Sequence, residues 1–582
     1  MSGNKFLYLL SFVCLISRVS AQETIIGLQR NSQIALLYQK SEPSKGISAD
    51  DTLTLPFVDD FSTGYGYPDI RKWSDRYAYI NDTYSSHQIT TGVATLDAFS
   101  EKGELYETAS PQTFEADHLT SKPIDLNYPA SANVWLSFFY QAGGNGDMPE
   151  PRDSLALHFY SPTDRTWHSV WRTEGPDTLT GFKLVMIKID QQRFLKKGFR
   201  LRFVNYASLP RDNDNLKISM YSNCDHWNID YVRLDRNRNE TDTVMRDVAL
   251  RLPLRSLLKT HESMPWNQFR EIYLQEMGSS IPITYRNNDN IVRNVTRFFE
   301  IKDLYKNTMS YAFSGGAVNT EPFTDVNYNA NLIYTYNTDN ADSALFLVKC
   351  FLKTDVFDRK ENDTLTYLQR FSNYFAFDDG TAEGGYGING EGSRNAMVAF
   401  RFKSFIRDTI RAIDICFNDS YLNSNRRSFD LMIWKDNEGL PGEVIYTLEN
   451  QLAEPSGKIN GFRRYLLPDG VPVEGEFYAG WKQRSETFLN VGIDLNTPHK
   501  GRHLFWLKGS WQQSEKNGTL MIHPVVGKPV RPTSVEDPIN PSMKAFRLWP
   551  NPASEYINIE TDENITAGRA GSIIRFIDLQ GR

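Results

Sequence analysis

Phe57-Val58-Asp59-Asp60-Phe61 and Trp227-Asn228-Ile229-Asp230-Tyr231-Val232 are two short runs, far apart in the chain, that each mix apolar and polar residues at strand spacing. Alternate residues of a strand share a face, so each run presents an apolar side that needs covering. A sandwich whose first and last strands pair accounts for both, with the two runs marking the ends of one domain. The same alternation recurs at Val134-Trp135-Leu136-Ser137-Phe138-Phe139, at Phe199-Arg200-Leu201-Arg202-Phe203-Val204 and at Asn395-Ala396-Met397-Val398-Ala399-Phe400-Arg401-Phe402. Gly, Pro, Asn and Asp punctuate these runs, while helical periodicity is almost absent. One helical turn is predicted over 263–274, with Ser263 as cap and Pro265 in the first turn. The fold class is therefore all-β, built from several β-sandwiches.

The 582 residues hold 64 Lys and Arg against 71 Asp and Glu, a formal charge of −7. At roughly 150 residues per domain this length implies three to five domains. A mildly acidic chain without a basic block is a poor partner for nucleic acid. The chain opens with Lys5, the apolar run 6–16 and then Val19-Ser20-Ala21 before Gln22. That order of charge, apolar core and small residues is a secretory signal, predicted to be cleaved after Ala21. Its apolar core is too short to span a bilayer, and no later run is apolar enough to do so. Beyond the signal stand Cys224, Cys350 and Cys416, an odd number at wide spacings. They form neither a disulfide framework nor a metal-binding pair, and Cys350 reads as a small buried residue of a strand.

Polar or Pro-rich stretches at 41–51, 235–243, 358–364 and 528–542 divide the chain. The expected parts are a signal at 1–21, an N-terminal extension at 22–50, sandwich domains at 51–238, 239–362 and 363–528, a Pro-rich linker at 529–544 and a small terminal domain at 545–582. The first sandwich opens with Phe57 to Trp73 in the order F-x-D-D-F…W, continues with Thr120-Ser121-Lys122-Pro123-Ile124-Asp125-Leu126 and closes with the W-N-I-D-Y-V strand. In this it resembles the jelly-roll modules of the cleaved-adhesin and MAM type. The middle part is expected to be an immunoglobulin-like linker and the third part, from Tyr374-Phe375-Ala376-Phe377-Asp378-Asp379 onward, a second jelly-roll-like sandwich similar to those of large Bacteroidota surface proteins.

The end of the chain carries a more specific pattern. Phe546-Arg547-Leu548-Trp549-Pro550-Asn551-Pro552-Ala553-Ser554-Glu555-Tyr556-Ile557-Asn558-Ile559, followed by Ile573-Ile574-Arg575-Phe576-Ile577-Asp578-Leu579-Gln580-Gly581-Arg582, resembles the start of the type A C-terminal sorting domain read by the type IX secretion system. Pro550, Asn551, Pro552 and Gly581 carry that resemblance. The match stops at Arg582, where members of the family continue with further strands, so the sorting domain is expected to be incomplete. The resemblance implies export through the periplasm to the cell surface or medium, with the type IX machinery as a partner.

Chemistry was sought residue by residue. Gly385-Tyr386-Gly387-Ile388-Asn389-Gly390 fits G-x-G-x-x-G, but no helix pattern follows to receive a pyrophosphate, so a glycine-permitted loop is predicted. His261-Glu262 lacks the second histidine of a zinc-protease helix. Asp212-Asn213-Asp214-Asn215-Leu216 fails as an EF-hand loop because Leu216 offers no side-chain oxygen. The resembled jelly rolls often bind calcium near their terminal strands, and Asp60 and Asp230 fall where those acids would stand. The alternative is a pair of strand acids bonded to water or protein. Asp378, Asp379 and Glu383 form a weaker calcium candidate. Trp167 and Trp171, four apart on one strand, would share a face, as core or as a platform for sugar.

An Asp, then Ser or Thr, then an aliphatic residue recurs at Thr52, Ser154, Thr178, Thr243, Ser343, Thr364 and Thr409. The pattern resembles the Bacteroidota O-glycosylation acceptor, although an Asp turn feeding a strand gives the same letters. Taken together the sequence points to an exported, adhesin-like binding protein of the outer surface with a carbohydrate or protein ligand, and without catalytic residues. A secreted hydrolase or its accessory subunit, or a structural part of the surface or secretion apparatus, remain alternatives.

Overall fold

The structure, a computed structural model, describes residues 21–40, 52–209, 222–332, 336–337, 342–355, 358–418, 425–455, 461–528, 546–549 and 558–561. The protein is all-β and contains three β-sandwiches; the chain divides into a large compact unit, 1–528, and a small one, 529–582. The two end runs of the first sandwich are strands, Phe57–Asp59 and Trp227–Asp235. They pair antiparallel with Val232 opposite Asp59 and Leu234 opposite Phe57. Strand Trp227–Asp235 also lies against Val134–Ala142 and Val93–Leu96 in one sheet. The facing sheet runs in the order Phe114–Thr120, Lys197–Ala207, Ser154–Ser161, Thr166–Glu174. Phe138 of one sheet meets Phe203 of the other edge to face at 4.8 Å, and both are fully buried. Ring pairs of this kind contribute on the order of 1 kcal/mol beyond the area they bury.

The middle sandwich sets a three-stranded sheet, Val248–Leu250, Ser280–Asn287 and Asp325–Asn331, beside a four-stranded one. Seven strands is the count of a constant-type immunoglobulin sandwich. Its strand Ala344–Lys353 alternates strictly, with Ala344, Phe346, Val348, Cys350 and Leu352 buried. Cys224, Cys350 and Cys416 are free and buried, and burial pushes the Cys350 and Cys416 thiols up to about 12.

The helix of this region is Trp266–Glu276, and its entry differs from expectation. Pro265 stands at the cap position, while the Ser263 hydroxyl donates to the Arg370 carbonyl instead of capping. An isolated bridge pairs Ser263 with Ala376, so the segment before the helix is held extended against the third sandwich. Inside the helix Gln268 Nε2 donates to Ser404 Oγ, and its Oε1 accepts from Phe405 N.

The third sandwich takes in residues 22–27. Gln22–Gly27 is a strand that pairs antiparallel with Gly384–Asn389, from Gln22 opposite Asn389 to Gly27 opposite Gly384. The glycine run is therefore a strand, not a loop. Its glycines are required by close approach, because a Cβ on Gly387 would stand 2.1 Å from the Leu489 carbonyl oxygen and one on Gly384 2.7 Å from that of Ile26. The extension then forms a second helix, Ser32–Lys40, that periodicity did not suggest. Asn31 Oδ1 accepts from the backbone N–H of Gln33 and Ile34, an N-cap that the letters Asn31-Ser32 permit. The opposite sheet is built on the long strands Met397–Ile415 and Arg463–Gln483.

In the small unit Phe546–Trp549 pairs with Asn558–Thr561. Pro550, Asn551, Pro552 and Gly581 lie outside the described residues, as do Asp212 to Leu216 and the expected signal segment before Ala21. Among the described residues no helix is long and apolar enough to cross a membrane.

Candidate metal centre

The loop that joins strand Val134–Ala142 to strand Ser154–Ser161 ends in Pro149-Glu150-Pro151-Arg152-Asp153. Its turn is closed by Asp153 N donating to the Glu150 carbonyl and by Gly175 N donating to the Asp153 carbonyl. Gly175 must be glycine, since a Cβ there would lie 2.2 Å from the Glu150 oxygen and 2.3 Å from that of Pro149. Across from this loop, Asp225 precedes the closing strand in a left-handed conformation, φ 55°. Asn205 holds it there by donating Nδ2 to the Asp225 carbonyl at 3.0 Å.

Glu150, Asp153 and Asp225 are thereby brought together, each offering a carboxylate oxygen within 4.8 Å of the others. Asp153 and Asp225 are fully buried. Among the described residues neither oxygen of Asp153 has a hydrogen-bond partner, nor has Oδ1 of Asp225, nor Oε2 of Glu150. Asp225 Oδ2 accepts from Ser208 N at 2.8 Å, and Glu150 Oε1 lies 3.5 Å from the Arg152 guanidinium. Arg152 stands at the edge, its Nε bonded to Ser208 Oγ at 2.5 Å and 3.8 Å from Asp153 Oδ2. Burial and mutual repulsion hold the Asp153 and Asp225 carboxyls well above the usual carboxylate range. Buried carboxylates with open lone pairs are costly unless a cation or donor meets them. The donor set is all oxygen and triply acidic, which suits a hard divalent cation such as calcium and not a thiophilic or imidazole-seeking metal.

The acids proposed from the sequence are used differently. A bulge at Tyr231, φ 47°, turns Asp230 inward, where Oδ2 accepts from Ile89 N and Thr90 N and Oδ1 from the Thr90 hydroxyl. Burial raises its pKa to about 8. Asp60 Oδ1 accepts from Ser62 Oγ at 2.8 Å, and Oδ2 from Asn362 Nδ2 at 2.9 Å and Arg359 Nε at 3.3 Å. Asp60 and Asp230 are thus met by protein donors where a cation would sit. The same holds for the weaker candidate: Asp378 pairs with His523 at 2.6 Å, Asp379 with Arg255 at 2.8 Å, and Glu383 accepts from Leu495 N and the Thr381 hydroxyl.

Trp167 and Trp171 do not share a face. Ser154–Ser161 pairs Leu157 with Trp171 but His158 with Ser169, so one extra residue, Val170, is inserted between the tryptophans. A bulge of one residue reverses the parity of everything beyond it. Trp171 consequently packs on Phe138 and Tyr140 in the core, while Trp167 lies on the outer face under the Arg202 guanidinium at 4.1 Å.

Of the seven Asp-Ser/Thr positions, Thr178, Thr243 and Thr364 are exposed, and Thr52, Ser343 and Thr409 are half-buried. Ser154 is fully buried at the start of its strand and closed to a sugar in the folded domain. Thr364 also opens a strand, as the turn-to-strand reading requires. His261, the remnant of the metalloprotease pattern, is buried against Glu276, Nδ1 to Oε1 2.7 Å.

No family model matches the chain, and no curated protein does. Solved structures with some likeness include a putative β-galactosidase from Bacteroides fragilis, at 14% identity over 49% of this chain and 36% of that one, TM-score 0.21. A β-glucuronidase from Bacteroides uniformis is 10% identical over 64% of this chain and 35% of that one, TM-score 0.20. The Endo-D glycoside hydrolase domain from Streptococcus pneumoniae is 10% identical over 55% and 44%, TM-score 0.21. The chain spans less than half of each of these proteins.

Proposed function

We propose that this protein is an exported binding protein of the cell surface whose first β-sandwich is locked by calcium. The calcium part of the reading rests on one observation, the buried triad of Glu150, Asp153 and Asp225 with oxygens unpartnered among the described residues. Those three side chains would hold the ion, which supplies the positive charge the buried carboxylates lack. The chain's own part is to bring together two loops, one before strand Ser154–Ser161 and one before strand Trp227–Asp235, at one end of the sandwich. Calcium modules outside cells bind at roughly 0.1–1 mM, where the ion is abundant, and so fold firmly only after export. Export itself is supported by the order of charge, apolar run and small residues up to Ala21, and surface delivery by the type IX resemblance of 546–582. An adhesin-like role follows from a rigid sandwich presented on the surface.

Calorimetry of the mature chain in millimolar calcium and in chelator tests the metal. A tenfold excess over the dissociation constant adds about 1.4 kcal/mol of stability. Asp153→Asn should abolish the calcium-dependent rise in Tm; a rise that persists in that variant places the ion elsewhere. Fractionation of cells with and without a working type IX channel tests delivery, and retention in the periplasm in both would refute it.

A further inference from the structure

Between the closing strand of the first sandwich, the connector that follows it and the segment near residue 359 lies a cavity of about 710 Å³. Ligand sites run to roughly 300–1,000 Å³, so its size is that of a binding site. Its lining contradicts the charge of the chain. Although the protein carries a net −7, the walls hold five arginines, Arg233, Arg236, Arg238, Arg246 and Arg359, against two aspartates, Asp235 and Asp242.

The arginines divide by what already holds them. Arg238 is buried and saturated: it bonds Asp242 at 2.8 Å, the carbonyls of Trp135 and Arg233, and the Ser137 hydroxyl. It fixes the connector against the sheet. Arg233 is 3.7 Å from Asp242 and 3.8 Å from Asp235, so both acids of the cavity are engaged with guanidinium groups. Arg359 reaches Asp60 at 3.3 Å. Arg236 and Arg246 are exposed and form no ion pair among the described residues; Arg236 is steadied over the Tyr128 ring at 5.3 Å. A cavity with its acids neutralised and two arginines uncommitted is arranged for an anion, and guanidinium forks match carboxylate and sulfate oxygens two at a time. Asn237, Asn239 and Asn290 add amides, and Tyr231 and Pro56 an apolar wall. Amides that pair with hydroxyls beside a small apolar surface are the complement of a sugar ring.

We infer that this cavity binds an acidic saccharide, one carrying sulfate or carboxylate groups that reach Arg236 and Arg246. The inference rests on the reading of the chain as an exported binding protein and supplies its ligand class.

The test is calorimetric titration of the mature chain with a chondroitin sulfate tetrasaccharide, its desulfated form, inorganic sulfate and inorganic phosphate. The sulfated tetrasaccharide and its desulfated form, which keeps its carboxylates, should both bind at least tenfold more tightly than inorganic sulfate or phosphate, and more weakly as NaCl is raised. The R236A/R246A variant should lose at least tenfold in affinity. Both side chains lie at the surface, and an unchanged Tm and circular dichroism spectrum of the variant in the absence of calcium report that the first sandwich is folded. A separate calcium titration of the unaltered chain keeps the two readings apart, since the metal centre can fail while the saccharide binds, and the reverse. No binding of the tetrasaccharide, binding undiminished in the double variant, or equal affinity for inorganic sulfate or phosphate would each overturn the inference.

Discussion

His503 is a histidine with nothing to bond. It is buried, neither ring nitrogen has a hydrogen-bond partner, and its ring abuts Tyr386 at 4.0 Å. Burial lowers its pKa from 6.5 to about 3. Above pH 6.5 the group is neutral in folded and unfolded chains alike; below it the unfolded chain takes a proton that the folded one refuses until about pH 3. Its contribution to stability is therefore present above pH 6.5 and lost as pH falls toward 3. We expect His503→Leu to reduce the loss of Tm between pH 7 and pH 4, and an unchanged pH slope would show that the ring is not sealed from water. The tryptophans of the neighbouring sandwich give a second residue-scale contrast. Trp171→Ala should cost about 3 kcal/mol because core aromatic contacts are lost, and Trp167→Ala less than about 1 kcal/mol because it lies on the outer face. Equal losses in chemical denaturation would contradict the bulge at Val170.

At the scale of elements, what could be read from the sequence was what local alternation encodes. The pairing of Phe57–Asp59 with Trp227–Asp235 and the run Ala344–Lys353 follow from apolar residues at every second position. The parity of Trp167 and Trp171 does not, since a bulge is set by the partner strand. The metal triad was hidden for a similar reason: Glu150 and Asp153 sit in one loop and Asp225 in another, and acids in loops are common. The signals that pointed to it are Pro149 and Pro151, which stiffen the acidic turn, and the position of Asp225 just ahead of the recognisable closing strand. The strand Gln22–Gly27 was equally silent, although the glycine run that receives it was noticed. Ile26 is 8% exposed on that strand, so Ile26→Ala should cost about 2 kcal/mol of stability in denaturant melts. Deleting 22–27 would bare the edge of Gly384–Asn389, and a peptide Gln-Glu-Thr-Ile-Ile-Gly added in trans should restore part of the lost Tm by strand addition. An unchanged Tm on deletion would show that the strand is dispensable.

Across the whole molecule the buried apolar residues fall into unequal bodies. One continuous core joins the middle and third sandwiches, running from Val248 and Trp266 through Phe371 and Phe377 to Trp481 and Val526. The first sandwich has its own, from Phe57 and Trp73 to Leu234. Residues that share a core unfold together. We expect two calorimetric transitions, one for the first sandwich that moves with calcium and one for the other two together that does not. A single transition that moves as a whole would mean that the polar junction around Asp60, Asn362 and Asp247 couples the bodies.

The seating of Gln22–Gly27 beside Gly384–Asn389 has a consequence in time. Residues 22–27 leave the ribosome long before they can find their place, because their partner is made on the order of tens of seconds later at ordinary rates of synthesis. The strand 22–27 must therefore wait unpaired until the third sandwich has been made and its partner strand is in place. Completion of that sheet therefore couples the folding of two segments more than 350 residues apart in the chain.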